Sequence, residues 1–330
     1  MPRVAFFARR KVSSGLAKVE QGGLVADVSS QGAVILAVGW LSGAIWLPFL
    51  GAMLHPLLGM FTQKAAGKGV GMTVIVASAN LITLAIFAVY MDAEGGWTIR
   101  GQDWWAIGNG VIFFLGQWFS LQSMKVGDLA VHASALGVKV LVVASFSFLV
   151  GLEEASFALV LGVVAAVTAV FLVSGGSLAG WKEHRKTVGL TLLACIFFGT
   201  NDFLTGWAAQ DIGAGRWLLL MMGTSGAISA LLLLTRLSQL RALLTGPPRV
   251  AGCVLGAGLC LGTQALFVNL AFSKFQEPTL SNVVYSSRGL MAVIVLWITG
   301  ASVDHSLRRK QTLGAVLMMG ALLIVLSRQT

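Results

Sequence analysis

Two basic side chains stand where a membrane protein rarely keeps a charge. Lys139 and Arg288 lie about ten residues into apolar runs of roughly the ~20 residues that cross a bilayer, 129–150 and 279–299. A charge at that depth costs at least ~2.5–3.5 kcal/mol on insertion scales, so it needs a partner or a wet cavity. Two cations facing one cavity repel each other unless an anion sits between them, and that arrangement suits a carboxylate or a phosphate. The competing reading is that each snorkels or pairs with an internal acid. Tyr285 precedes Arg288 by three residues and shares its helical face, with Ser286 and Ser287 between them. His132 lies two turns before Lys139 on the same face. Asp202, in FFGTNDFLTGW, is the acid placed inside an apolar run, with Asn201 beside it. It reads as a counter-ion to one of the cations, as a proton-coupling carboxylate, or as a helix-end group in interfacial water. Gln117, Gln122, Gln264 and Asn269 are further candidates, although a membrane amide commonly makes an interhelical hydrogen bond worth ~0.6 kcal/mol.

The elements that must position these groups are helices in lipid. Of the 330 residues, 56% are hydrophobic and 11% charged, and the mean hydropathy is +0.84. Soluble domains carry roughly 25% charged residues, so this surface is not mostly water-facing. The net charge of +10 comes from Lys and Arg lying between the apolar runs, which is a topology signal and not a nucleic-acid footprint. Cys195, Cys253 and Cys260 lie inside apolar runs, without metal-ligand spacing, and read as small packing residues.

After a basic, serine-containing stretch come apolar runs at 38–62, 70–90, 105–123, 129–150, 156–174, 187–208, 217–235, 250–272, 279–299 and 311–327. Each nears bilayer length, and helices are the form in which lipid-exposed backbone satisfies itself. The expectation is an all-α integral membrane protein with about ten transmembrane helices. Pro48 and His55-Pro56 predict a kink in the first run. Trp97, Trp104, Trp105, Trp181, Trp207 and Trp217 near run ends suit an interfacial belt. Gly162, Ala165, Ala166 and Ala169 in the fifth run, and Gly314 and Gly320 in the tenth, suit close helix contact. Residues 1–35 read as a disordered basic tail, a transit peptide or an upstream start.

The chain repeats itself. LQSMKVGDLAVHASALGVKVLVVASFSFLVG (121–151) lies over LAFSKFQEPTLSNVVYSSRGLMAVIVLWITG (270–300) at a constant offset of 149. Leu121 meets Leu270, Lys125 meets Lys274, Asp128 meets Glu277, Lys139 meets Arg288 and Gly151 meets Gly300. Two halves, 36–176 and 187–328, then hold about five spans each. An odd number of spans inverts the second half, the plan in which a substrate site lies at the midplane between repeats.

The run LQSMKVGDLAVHASALGVKVLVVASFSFLVGLEEAS and the apolar run after it resemble the drug/metabolite transporter superfamily, EamA-like branch. The resemblance covers roughly residues 45 to 327. It implies two inverted five-helix repeats, cytoplasmic termini and transport by alternating access. Sugar-phosphate translocators of that superfamily look similar in placing basic residues in helices four and nine. The family's Gly-Glu ending of helix four is matched by Gly151 with Glu153 and Glu154, while the second half has Asp304-His305 after Gly300. Glu153 and Glu154 are expected to open helix five, where acids stabilise the positive helix end.

Tail cations Arg3, Arg9, Arg10, Lys11 and Lys18 argue for a cytoplasmic start. Loop cations such as Lys182, Arg185, Arg236, Arg241, Arg308 and Arg309 argue the reverse. The expected function is secondary transport of a small anionic or zwitterionic metabolite across the cell (inner) membrane, with protons as a co-substrate if Asp202 couples. An exporter of amines or hydrophobic drugs built on Asp202 is the alternative. No nucleophile elbow, zincin helix, catalytic carboxylate pair or nucleotide loop points to an enzyme, a cofactor or a metal. The expected partners are the solute and the lipid bilayer, with the chain working as a monomer or homodimer.

Overall fold

The computed structural model describes residues 30–90, 99–126, 129–291, 294 and 305–326. Contacts divide the chain into Met1–Gly39 and Trp40–Thr330, and the helix packing and the site belong to the second unit. Among the described residues every regular element is a helix. In chain order they are α1 (Ser30–Gly67), α2 (Met72–Tyr90), α3 (Asp103–Val126), α4 (Leu129–Leu136), α5 (Lys139–Leu149), α6 (Phe157–Val173) and α7 (Leu178–Glu183). Next come α8 (Arg185–Ile212), α9 (Ala214–Leu234), α10 (Leu237–Thr245), α11 (Pro248–Phe275), α12 (Pro278–Tyr285) and α13 (His305–Leu326).

Among the described residues, five stretches are long and apolar enough to cross a membrane: Gly43–Gly67, α2, α8, α9 and α11. Apolar α5 and α6 are shorter, at 11 and 17 residues. Exposed Leu149, Phe157, Leu161, Val164, Leu231 and Leu323 turn outward, as expected of helices whose solvent is lipid.

The main departure from expectation concerns runs four and nine, which are not single helices. The first breaks at Gly137-Val138, between α4 and α5; the second breaks at Ser286-Ser287, after α12, and is helical again from 288 to 291. The breaks are built alike. Val138 N–H donates to Ala135 O and Ser287 N–H to Val284 O, both at 3.1 Å. Val140 N–H donates to Gly137 O at 3.2 Å and Gly289 N–H to Ser286 O at 3.3 Å. Each bond has its counterpart 149 residues on. Such three-residue bonds tighten the turn and offset one half-helix from the next. Glycine weakens the first break, and adjacent serines, which bond back to the backbone, weaken the second. Ser286 Oγ does so, donating to Asn282 O at 2.8 Å. Lys139 and Arg288 are therefore the first residues after a break and not mid-helix charges.

Neighbouring helices are α2 with α9 and α11, α3 with α8 and α9, α5 with α8 and α12, and α6 with α13. Small residues set the close approaches. A Cβ on Gly110 of α3 would strike Met221 O of α9, and one on Gly314 of α13 would strike Val173 N and Ala169 O of α6. Gly162, Ala165, Ala166 and Ala169 are buried on α6, as expected, whereas Gly320 faces open space. Trp104 and Trp105 are exposed, but Trp217 is fully buried and donates Nε1–H to Thr205 Oγ1 at 3.2 Å, so it is a core residue and not part of an interfacial belt. Trp97 and the Gly300–Asp304 part of the repeat lie outside the described residues.

The acids expected to open helix five do not do so. Ser156 caps α6, accepting from Leu159 N–H at 3.3 Å. Glu153 instead reaches the other half of the chain and accepts from Thr279 N–H at 2.9 Å and Leu280 N–H at 3.4 Å. Its carboxylate thus caps α12, whose first residue Pro278 has no N–H to offer.

Candidate functional site

The break in run four delivers Lys139 to the start of α5, against α8. A cation at a helix N-terminus opposes the helix dipole, so the position calls for an anion. Asp202 of α8 supplies it: Lys139 Nζ lies 2.6 Å from Asp202 Oδ2. Both side chains are buried. The geometry makes Asp202 the counter-ion of Lys139, and a residue 5% exposed is not in interfacial water. Asn201 Nδ2 donates to Asp202 Oδ1 at 3.1 Å and steadies the other carboxylate oxygen.

The break in run nine delivers Arg288 beside Tyr285, the last residue of α12. The Arg288 guanidinium carbon is 4.6 Å from the centroid of the Tyr285 ring, and Lys139 Nζ is 5.5 Å from the same centroid. The repeat-matched cations thus share one aromatic ring, as a cation–π pair of contacts. Tyr285 is buried against Ala52, Val268 and Phe272, which joins α1 and α11 to the cluster. Among the described residues, Lys139 has a carboxylate partner and no ion pair reaches Arg288. At the sequence offset of 149, the residue matched to Asp202 is Met53, which carries no charge.

The remaining candidates divide. Asn269 of α11 is buried one turn before Phe272 and donates Nδ2–H to Ala265 O at 2.8 Å. His132 has its own partners: Nδ1 is 3.0 Å from both Ser123 Oγ and Thr191 Oγ1, and Nε2 is 3.3 Å from Ser120 Oγ. It ties α4 to α3 and α8 and is not in contact with Lys139 or Arg288 through these bonds. Gln117 is elsewhere, accepting from Asn80 Nδ2 at 2.7 Å, while Asn80 also donates to Ser229 Oγ at 2.9 Å. That knot belongs to the α2–α3–α9 contact, so Gln117 acts as an interhelical link. Cys195 is buried and donates toward Ala135 O at 3.5 Å, at the foot of the first break.

Sequence reasoning missed two features. Asn80 and Ser229 are themselves 149 apart, a match the offset would have exposed. Asp103, at the start of α3, and Arg216, at the start of α9, form a buried two-pronged pair: Nε donates to Oδ1 at 2.8 Å and the second prong joins Nη2 to Oδ2. Asp103 also accepts from Arg100 N–H at 2.6 Å. Hydrogen bonding from Arg216, above all, holds the Asp103 carboxyl down at about 2. A depressed folded value makes this contribution fully present above the ordinary 3.8 and lost as pH falls through about 2. Asp103→Asn is accordingly expected to lower the melting temperature at pH 7 and to narrow the gap from wild type toward pH 2, read by acid-series thermal unfolding; parallel curves at all pH values would refute it.

Neither a family model nor a curated protein matches the chain. Its fold is similar to that of a protein of known crystal structure, with a TM-score of 0.66 at 16% identity, over 86% of this chain and 96% of the other. At that identity the likeness concerns the fold alone. Its described residues are all-helical, with several helices able to span a bilayer and a cluster in which buried Lys139, Asp202 and Tyr285 meet the half-buried Arg288.

Proposed function

We propose that the protein is a secondary transporter that carries a small anionic or zwitterionic metabolite across the membrane by alternating access, in the manner of the EamA-like transporters its sequence resembles. The observation that carries this reading is Arg288: a cation beside a buried ring, matched by the repeat to Lys139 yet without Lys139's carboxylate among the described residues. An anion answers that charge.

The two-halved scaffold has its own support. Asn80 and Ser229 are repeat mates and bond to each other. Mates meet when they lie on a two-fold axis. The contacts of α2 with α11 and of α9 with α3 exchange under the same operation, and three backbone bonds at the first break, from Val138, Val140 and Val142, have counterparts from Ser287, Gly289 and Met291 at the second. With five spans per half, such an axis lies in the membrane plane, and exchanging the conformations of the halves moves access from one side to the other. Broken helices near mid-membrane are tolerated where they line a site.

The test is uptake into proteoliposomes, scored by solute charge. Small carboxylates are the expected substrates, and Arg288→Ala is expected to abolish uptake with insertion intact. Full carboxylate uptake by the Lys139→Ala, Arg288→Ala double variant, or uptake restricted to amines and lost with Asp202, would sink this reading in favour of a cation exporter.

A further inference from the structure

We infer that the substrate is a monocarboxylate bearing hydroxyl or ammonium hydrogen-bond donors, and not a multiply charged or purely apolar anion. The inference rests on the anion-transport reading and adds the charge and the polarity of the solute.

The charge follows from the cluster. Lys139 and Asp202 cancel at 2.6 Å, which leaves Arg288 as the positive group without a described carboxylate. One guanidinium matches one carboxylate in a two-pronged contact. A second negative charge would have to take Lys139 from Asp202, leaving that buried carboxylate unpaired, which is strongly unfavourable.

The donor requirement follows from three amides. Asn201, Asn269 and Asn282 are 1%, 4% and 1% exposed. In each, the nitrogen is committed: to Asp202 Oδ1 at 3.1 Å, to Ala265 O at 2.8 Å and to Pro278 O at 2.9 Å. These bonds fix which end of the amide is which, because a flipped group would set oxygen against oxygen. The three oxygens are thereby left over, and none has a hydrogen-bond partner among the described residues. Buried acceptors are rarely left unmet. Their places relate them to the cluster. Asn201 adjoins Asp202, Asn282 is three residues before Tyr285 on α12, and Asn269 is one turn from Phe272, which belongs to the same apolar cluster as Tyr285. Spare acceptors on the helices that carry the cluster, together with a cation lacking a carboxylate, suit a carboxylate that brings its own O–H or N–H groups.

The probes are propionate, glycerate, serine and malonate, tested on purified full-length protein by ligand-induced thermal shift and by competition in proteoliposome uptake. Glycerate differs from propionate by two hydroxyls and is expected to bind at least about tenfold more tightly, since a site built around hydrogen bonds penalises the analogue that lacks them. Serine against propionate reads the ammonium in the same way and separates the two donor types. Malonate is expected to bind no better than propionate. Asn269→Leu and Asn282→Leu should each move the glycerate-to-propionate ratio toward one. The wild-type ratio needs no variant, so a misfolded mutant does not obscure the result. Propionate binding as well as both glycerate and serine, or malonate binding more tightly than either, overturns the inference while the anion reading stands. No binding by any of the four, with Arg288→Ala indistinguishable from wild type in uptake, removes both.

Discussion

Lys139→Ala is expected to destabilise the protein by roughly 3–5 kcal/mol, whereas Arg288→Ala destabilises it far less and still eliminates the proposed transport. The two residues are repeat mates, so their positions in the chain give them one role. The geometry gives them different ones. Lys139 is ion-paired with Asp202 at 2.6 Å, both are buried, and removing the lysine strands a carboxylate in the interior. Arg288 rests on the Tyr285 ring, a contact worth about 0.5–2 kcal/mol. Thermal unfolding of detergent-purified variants separates these cases. The double change Lys139→Met, Asp202→Leu should recover most of the stability lost by Lys139→Ala, because an apolar pair of similar volume replaces a desolvated ion pair at little cost. Equal losses for the two single variants, or no recovery in the double, would show that the pair does not exist as described.

The second large effect belongs to Glu153. Replacing it with alanine removes the acceptor for two N–H groups at the start of α12, at a cost of about 1–3 kcal/mol. Because α12 carries Tyr285 and leads to Arg288, the loss should also reduce the proposed transport. Glu153 lies between α5 and α6, and burial, opposed by hydrogen bonds from Thr279 and Leu280, raises its carboxyl above the ordinary 4.5. The folded chain then holds a proton that the unfolded chain has already released. Its contribution is most favourable below pH 4.5 and declines as pH rises through the higher folded value, the reverse of Asp103. Glu153→Gln keeps an oxygen for Thr279 and removes the titration. It should therefore match wild type in acid and exceed it at pH 8, as read by melting temperature across a pH series. A Glu153→Gln variant that tracks Glu153→Ala at every pH would mean that the charge itself, and not the acceptor, caps the helix.

Much of this architecture was legible because lipid imposes a simple rule. Backbone in hydrocarbon must satisfy itself, so apolar runs of bilayer length become helices whatever their neighbours are, and α2, α8, α9 and α11 keep closely to their runs. The offset of 149 was equally legible, since a constant spacing needs no structure to detect, and it singled out Lys139 and Arg288 as corresponding positions. The breaks at Gly137-Val138 and Ser286-Ser287 were hidden because apolarity does not register which backbone bonds shift from four residues to three.

Partnership was decided by the tertiary structure alone. Asp202 and Lys139 are 63 residues apart in sequence, and nothing local says which cation the acid meets. Gln117, Asn269 and Asn201 look alike as single amides in apolar runs, yet the first closes a knot with Asn80 and Ser229 while the other two keep an oxygen with no hydrogen-bond partner among the described residues. Trp217 and Trp104 both sit near helix ends, and only the packing of α9 against α3 and α8 buries one and leaves the other exposed. Composition and period fix what each segment is, because those depend on the solvent. Which charges cancel and which one stays available depends on distances between segments, and those exist only once the helices have met.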